Sequence, residues 1–330
     1  MLKLKPSISI VIPCYKAEHY IACAIDSALN QDKVDVEVIV VEDGVFDNTK
    51  DKIPCLPNVK HIQLEKNMGA SGARNIGLAH ASSGYVVFLD ADDYFQGDLL
   101  IGLYQALLES QASLALGRCL SLHEETGKRV MFVPPYKEGE LDVLKRWLEG
   151  CWGPGTCSIL WKVDEIKRIG GWNEDFVFND DGELVIRALL NGCKVAQSFS
   201  GYGVYRKHSS PSVSKRKGFD TFENQKCLEF YVMDRINSDR KFSDLILSLN
   251  EFRRINAQNA YKCGYDKIGK DFEKRWEYYG GKLPLSRVGK VPKNIYLILF
   301  LLFGMRDSEK IISLLRLYLT MIKTKFFNRK

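Results

Sequence analysis

The sequence predicts an α/β fold in which a mainly parallel sheet is covered by helices on both faces and followed by a helical C-terminal extension. Three observations predict it. Apolar, β-branched runs alternate with helical periods about every 25 residues in the N-terminal part. The runs are apolar throughout instead of alternating, as in strands buried on both faces. The composition of the 330 residues, 45% apolar and 27% charged with 26 Gly and 10 Pro, excludes disordered, collagen-like and coiled-coil chains.

Ile8 to Ile12 forms the first strand, stopped by Pro13, and Ile21, Ala24, Ile25, Ala28 and Leu29 recur at helical spacing within His19 to Gln31. Val36 to Val41 is a second buried strand, ending at Glu42-Asp43-Gly44, and Asp47-Asn48-Thr49 supplies capping chemistry for a short helix. Val59 to Leu64 is a third strand, Gly69 to Ser82 a helix, and Tyr85 to Leu89 a fourth strand ending at Asp90-Ala91-Asp92-Asp93. A helix over Leu99 to Leu108 and a strand near Leu114 to Arg118 follow, and the Pro134-Pro135 turn introduces a helix from Leu141 to Leu148. Beyond the loop Cys151 to Cys157 come a strand (Ser158 to Trp161), a helix (Asp164 to Ile169), the turn Gly170-Gly171, a helix from Asp180-Asp181 to Leu190, and a last strand ending at Tyr205 to His208. After the polar stretch from Ser209 to Lys217 the chain turns aromatic and basic, with helical periods over Phe219–Met233 and Phe242–Cys263. The expected domains are therefore 1–210 and 211–330.

The net charge of +6 is unevenly distributed: residues 287–330 carry ten Lys/Arg against two Asp/Glu, and residues 1–286 carry 37 against 39. A neutral body with a basic tail argues against a nucleic-acid-binding face and for an anionic membrane surface. The nine cysteines are scattered, with no C-x-x-C, and the N-terminus shows no signal-peptide pattern, so the expected location is cytoplasmic. Ile295 to Phe303 is about half of the ~20 residues that a spanning helix needs. On a helical wheel, Ile311, Leu314, Leu315, Tyr318, Leu319 and Ile322 share one face and Arg316 and Lys323 lie opposite. That pattern suits a peripheral helix at the inner face of a membrane, or one packed on the catalytic domain or a second subunit.

Both Asp43 and Asp90–Asp93 follow apolar strands, at the carboxyl edge where parallel sheets bind ligands. Aspartates crowded at a strand end repel one another unless cations or hydrogen-bond donors neutralise them. Asp90-Ala91-Asp92 therefore reads as a site for a hard divalent ion such as Mn2+ or Mg2+, or as a turn and helix cap. Asp180 and Asp181 open a helix and favour its dipole.

The segments Ser9-Ile10-Val11-Ile12-Pro13-Cys14-Tyr15, Val38-Ile39-Val40-Val41-Glu42-Asp43-Gly44, Asn67-Met68-Gly69-Ala70-Ser71-Gly72-Ala73-Arg74-Asn75-Ile76-Gly77 and Phe88-Leu89-Asp90-Ala91-Asp92-Asp93 stand in order and spacing. Together they resemble glycosyltransferase family 2 over about residues 7–208. The resemblance implies a GT-A fold, a Rossmann-like sheet, and inverting transfer from a nucleoside diphosphate sugar, with UDP the preferred carrier. It implies that Pro13, Tyr15, Asp43, Arg74, Asp90 and Asp92 contact the donor, and that Asp92, with Asp93 and His208, holds Mn2+ or Mg2+. It makes Asp181 the base that takes the acceptor proton, and it places Trp152 and Asp180 at the acceptor, a saccharide or a lipid-linked sugar.

The chain departs from the family pattern at Glu42, at Val45-Phe46 and at Asp180, and lacks Q-x-x-R-W after Arg187, which points to addition of one sugar instead of processive synthesis. A sugar nucleotidyltransferase would show a Gly-rich loop where Pro13-Cys14-Tyr15-Lys16-Ala17 stands, and a non-catalytic binding module would not need Asp181. Gly69, Gly72 and Gly77 do not make a dinucleotide fingerprint, and there is no P-loop lysine.

Overall fold

Ile8, Ile10, Val11 and Ile12 are all fully buried, so the first strand needs cover on both faces and takes the middle of a sheet. The computed structural model describes residues 5–44, 47–134, 139–150, 155–176, 178–208 and 218–279. Trp152, Val45-Phe46, Pro135, most of the loop from Cys151, the stretch 209–217 and the segments 295–303 and 311–330 lie outside the described residues.

The elements in order are β1 (Ser7–Cys14), α1 (Ile21–Leu29), β2 (Asp35–Glu42), β3 (Val59–Gln63), α2 (Gly69–His80), β4 (Tyr85–Phe88), β5 (Tyr94–Gln96), α3 (Leu99–Glu109), β6 (Leu114–Leu116), β7 (Cys119–His123), β8 (Arg129–Phe132), α4 (Glu140–Leu148), β9 (Ile159–Lys162), α5 (Val163–Arg168), α6 (Asp180–Leu190), β10 (Val195–Gln197), β11 (Tyr202–Lys207), α7 (Phe219–Ser238), α8 (Ile246–Lys262) and α9 (Asp266–Tyr278). Among the described residues seven strands form one sheet in the order β10-β6-β9-β4-β1-β2-β3. β9 runs antiparallel to both β4 and β6, while the other pairings are parallel. The fold is thus the expected α/β class with a mainly parallel sheet.

A second sheet, β5-β11-β7-β8, was not anticipated by the periodicity. Its strands are short, and β8 is mostly exposed, so none carries the long apolar run that marks a central strand. This sheet matters for the site because β5 begins directly after Asp93 and pairs antiparallel with β11.

The helix α2 lies close against the sheet. A Cβ on Gly77 would come within 2.3 Å of Val11 Cγ1, so only glycine permits this approach.

The chain divides into two compact units, Met1–Trp147 with Cys151–Arg216, and Leu148–Gly150 with Lys217–Lys330. The second is helical in its described part, with Phe222, Ala257, Tyr261, Phe272 and Trp276 in its core. Glu229 is fully buried there between Arg253 Nε (2.6 Å) and Arg275 Nε (2.9 Å), so the carboxylate is compensated by two guanidiniums. The third helix of this unit, α9, lies beyond the predicted helical periods. Gly264, at φ +82°, ends the preceding helix in the left-handed conformation, and α9 restarts at Asp266. No described helix is long and apolar enough to cross a membrane.

Candidate functional site

Strand β4 delivers the chain to a tight turn in which the Asp93 N–H donates to the Asp90 carbonyl at 2.9 Å. Ala91 packs inward, and the three carboxylates go to three different partners. Asp90 accepts Arg74 Nη2 at 2.6 Å, Asp92 lies 2.8 Å from His208 Nε2, and Asp93 accepts the Arg206 backbone N–H at 2.9 Å. The Val204–Tyr94 pairing explains the last two: beyond it β11 runs back along the turn and carries Arg206 and His208 to the aspartates.

The carboxylates differ in exposure and in ease of ionisation. Asp92 keeps 30% of its side-chain exposure, and burial and the neighbouring Asp90 raise its pKa, while His208 opposes the rise. Asp93 is only 2% exposed, and burial with the nearby Asp92 and Asp90 holds its carboxyl well above the usual range. Predicted as a metal ligand, Asp93 instead turns inward and braces β11 through Arg206.

Arg74 is the hub of the site. It is 5% exposed, and besides Asp90 it donates Nη1 to Asp180 Oδ2 at 2.6 Å, with Ser71 Oγ reaching the same oxygen at 3.2 Å. Its guanidinium lies 4.3 Å from the ring centroid of Trp172. Asn75 fixes that tryptophan by a reciprocal pair of bonds to its backbone, Nδ2 to the Trp172 carbonyl at 2.9 Å and the Trp172 N–H to Oδ1 at 2.8 Å. Arg74, predicted to face the donor, thus ties the β4 turn to the start of α6. Asp180, predicted at the acceptor, is engaged by Arg74 and Ser71.

Asp181 follows at the head of α6. Asn179 takes the left-handed conformation at φ +57°, and its side-chain amide lies over Gly182, where a Cβ would come within 2.2 Å of Oδ1. The Asp181 carboxylate accepts the Gly182 N–H at 2.8 Å. Burial first and the Asp180 charge second push its pKa up to about 7, against the opposing pull of Arg74.

At the other end of the sheet edge, Asp43 is buried and accepts the N–H groups of Met68, at 2.6 Å, and Gly69. Burial raises its pKa and these bonds lower it, with burial the larger effect. Gly44, at φ +67°, sits so close to Asn67 that a Cβ would meet its backbone N at 2.2 Å. The buried Glu42 pairs with His61 Nε2 at 2.8 Å. Pro13 is half-buried, and Tyr15 is 50% exposed beside it, with Lys16 Nζ 5.4 Å from its ring centroid.

Ser71, Trp172 and Arg206 were not among the predicted site residues. The only local signal for Ser71 is its place one turn before Arg74 on α2; the other two contacts join segments far apart in sequence. A cleft of about 720 Å³ lined by Cys23, Asp26, Gln31, Lys33, Tyr94 and Asp98, among others, holds none of the predicted site residues. The carboxylate cluster lies outside that cleft.

No group of three His, Cys, Asp or Glu among the described residues is placed to hold a metal ion. Asp92 and His208, 2.8 Å apart, are partly open and stand beside a second carboxylate, Asp90. That donor set fits a hard ion whose remaining positions are filled by phosphate oxygens and water.

Residues 9–157 match the model of glycosyl transferase family 2. The chain is similar to the glycosyltransferase GlyA of Streptococcus pneumoniae serotype 4, at 34% identity over 36% of this chain and 18% of that protein. It is also similar to the UDP-Glc:alpha-D-GlcNAc-diphosphoundecaprenol beta-1,3-glucosyltransferase WfgD of Escherichia coli, at 33% identity over 44% of this chain and 57% of that one. These matches therefore span a fifth to about three fifths of the relatives' own lengths. Among solved structures, S. aureus TarS 1–349 in complex with UDP-GlcNAc aligns with a TM-score of 0.59 at 19% identity, over 82% of this chain and 92% of that one, a likeness of fold. By its family-model match over residues 9–157 and these relatives, the chain is similar to glycosyltransferase family 2 in its N-terminal part.

Proposed function

We propose that the chain transfers a single sugar, with inversion, from a nucleoside diphosphate sugar to a hydroxyl of a saccharide or lipid-linked acceptor in surface polysaccharide or glycolipid synthesis. The observation that carries this reading is Arg74, which joins the Asp90 end of the metal-type turn to the Asp180–Asp181 head of α6. It unites a leaving-group site and a base in one rigid arrangement. UDP is the carrier of choice, in keeping with the UDP-sugar named for WfgD and the UDP-GlcNAc bound to TarS.

Asp181 takes the proton of the acceptor hydroxyl as its oxygen bonds to the anomeric carbon. The bond from that carbon to the diphosphate breaks on the opposite face, and the electron pair leaves with the nucleoside diphosphate. A carboxylate titrating near 7 suits this task, since near neutral pH a large fraction of it is ionised and it is basic enough to accept the proton. Asp92 and His208 would hold Mn2+ or Mg2+, which supplies positive charge to the departing diphosphate. Asp90 and Arg74 keep that turn in register with α6, and Asp93 holds β11 against it. Asp43, with Pro13 and Tyr15, borders the nucleoside. Trp152 remains the candidate for the acceptor sugar. The basic segment 287–330 is read as contact with the inner membrane face, where a lipid-linked acceptor would be presented.

Titration calorimetry with UDP, GDP, dTDP and CMP, each with Mn2+ and then with EDTA, tests the donor half. UDP is expected to bind with Mn2+, weakly in EDTA, and to lose the metal-dependent part in Asp92→Ala. Equal binding in EDTA and Mn2+, or no nucleotide binding at all, would overturn the reading.

A further inference from the structure

His208 reaches the site just beyond the end of β11. Tyr20, the residue before α1, lies nearly parallel to that ring, with centroids 5.1 Å apart and planes 17° apart. The Tyr20 hydroxyl hydrogen-bonds the Glu124 carboxylate just beyond β7. Arg206 closes the group: Nη1 lies 3.5 Å from Glu124 Oε1, and its guanidinium is 5.6 Å from the Tyr20 ring and 4.6 Å from the Tyr94 ring. The Tyr20 ring is therefore held at its hydroxyl end, on its π face and by stacking.

We propose that Tyr20 is a positioning residue for the divalent-cation site, fixing by its stack on His208 the ring plane that keeps Nε2 on the Asp92 carboxylate. The inference rests on the reading that Asp92 and His208 hold the metal. A histidine ligand free to rotate must be ordered when the ion binds, whereas one already clamped pays nothing further, and outer contacts of this kind set metal affinity. A core role does not account for the ring: Tyr20 is only half-buried, and its neighbours in the group are polar.

The test is Mn2+ binding to the full chain in the presence of UDP, followed by loss of the free-ion electron paramagnetic resonance signal. Wild type is compared with Tyr20→Leu, Tyr20→Phe, Asp92→Ala and His208→Ala. Tyr20→Leu is expected to weaken Mn2+ binding by about tenfold, and Tyr20→Phe, which keeps the ring, by about twofold. Metal-free UDP binding and melting temperature should stay near wild type in both. If Tyr20→Leu lowers the melting temperature, Tyr20→Met, of similar bulk and without a ring, replaces it. Wild-type Mn2+ affinity in the ringless variant, with affinity lost in His208→Ala, overturns the role of Tyr20 alone. Unchanged affinity in Asp92→Ala and His208→Ala, or no Mn2+ binding by wild type, overturns the metal reading beneath it.

Discussion

At the scale of single residues, two neighbouring aspartates are given different tasks by their surroundings. Asp180 is held by Arg74 and Ser71, while Asp181, one residue on, is raised from an ordinary 3.8 to about 7 by burial and by the charge of Asp180. If Asp181 is the base, transfer at saturating substrate should rise about tenfold per pH unit below 7 and level off above it. Asp181→Asn should reduce turnover by about 10²–10⁴-fold while leaving Mn2+-dependent UDP binding intact. A flat pH profile, or a variant that transfers normally, would rule out this assignment. The same shift has a stability consequence of definite sign. A carboxyl whose pKa is raised on folding loses stability as pH climbs from its unfolded value toward its folded one, here from about 4 to about 7, by at most ~4 kcal/mol. Asp181→Asn should therefore melt higher than wild type at pH 8 and gain little at pH 4. The pair itself was legible, because two acids at a helix start form a local signal. Its partner was not, because Arg74 lies 106 residues from Asp180 and nothing local in a helix arginine tells an exposed one from a buried hub.

At the scale of elements, what reads clearly in the sequence is what depends on burial. β1, β2 and β4 are near-continuous apolar runs because helices cover both faces of the sheet, and their boundaries fall within a residue or two of the predicted ones. Strand direction has no such signature: β9 is four residues long and its composition, Ile-Leu-Trp-Lys, suits either sense. The second sheet escaped for a related reason, since three-residue β5 and exposed β8 are stabilised by their partners more than by their own sequence. Element packing also makes a mutational prediction. With Gly77 against Val11, Gly77→Ala forces α2 outward, and the overpacking should cost about 1–3 kcal/mol. Gly84, where an added Cβ meets nothing within 4 Å, is the control, and Gly84→Ala should stay within about 0.5 kcal/mol. Urea unfolding followed by circular dichroism distinguishes the two. Because α2 also carries Ser71, Arg74 and Asn75, only the first variant should weaken metal-dependent UDP binding; equal stability of the two would mean that the helix does not rest on Val11 as tightly as the contact implies.

At the scale of the whole molecule, the distribution of charge carries an argument that neither the site nor the sheet provides. Residues 1–286 hold 37 basic and 39 acidic groups, a net of −2, whereas 287–330 hold ten and two, a net of +8. Near an anionic leaflet each basic side chain contributes about 1 kcal/mol, and at 0.1 M salt the attraction extends over a Debye length of only about 10 Å. Attraction of the chain to lipid should then depend on charge and not on the sugar site. Co-sedimentation with vesicles containing phosphatidylglycerol is expected at low salt, to fall steeply by 0.5 M NaCl, and to be absent with phosphatidylcholine alone. Reversing four of the charges together, Lys323→Glu, Lys325→Glu, Arg329→Glu and Lys330→Glu, should abolish it while UDP binding persists. Binding to neutral vesicles that resists salt would instead assign the contact to the apolar residues between Ile295 and Ile322. Failure to bind anionic vesicles at any salt would remove the membrane from the account of this segment. The proposed donor site would stand unaffected, because its carboxylates, Arg74 and His208 all belong to the first compact unit and owe their geometry to contacts within it.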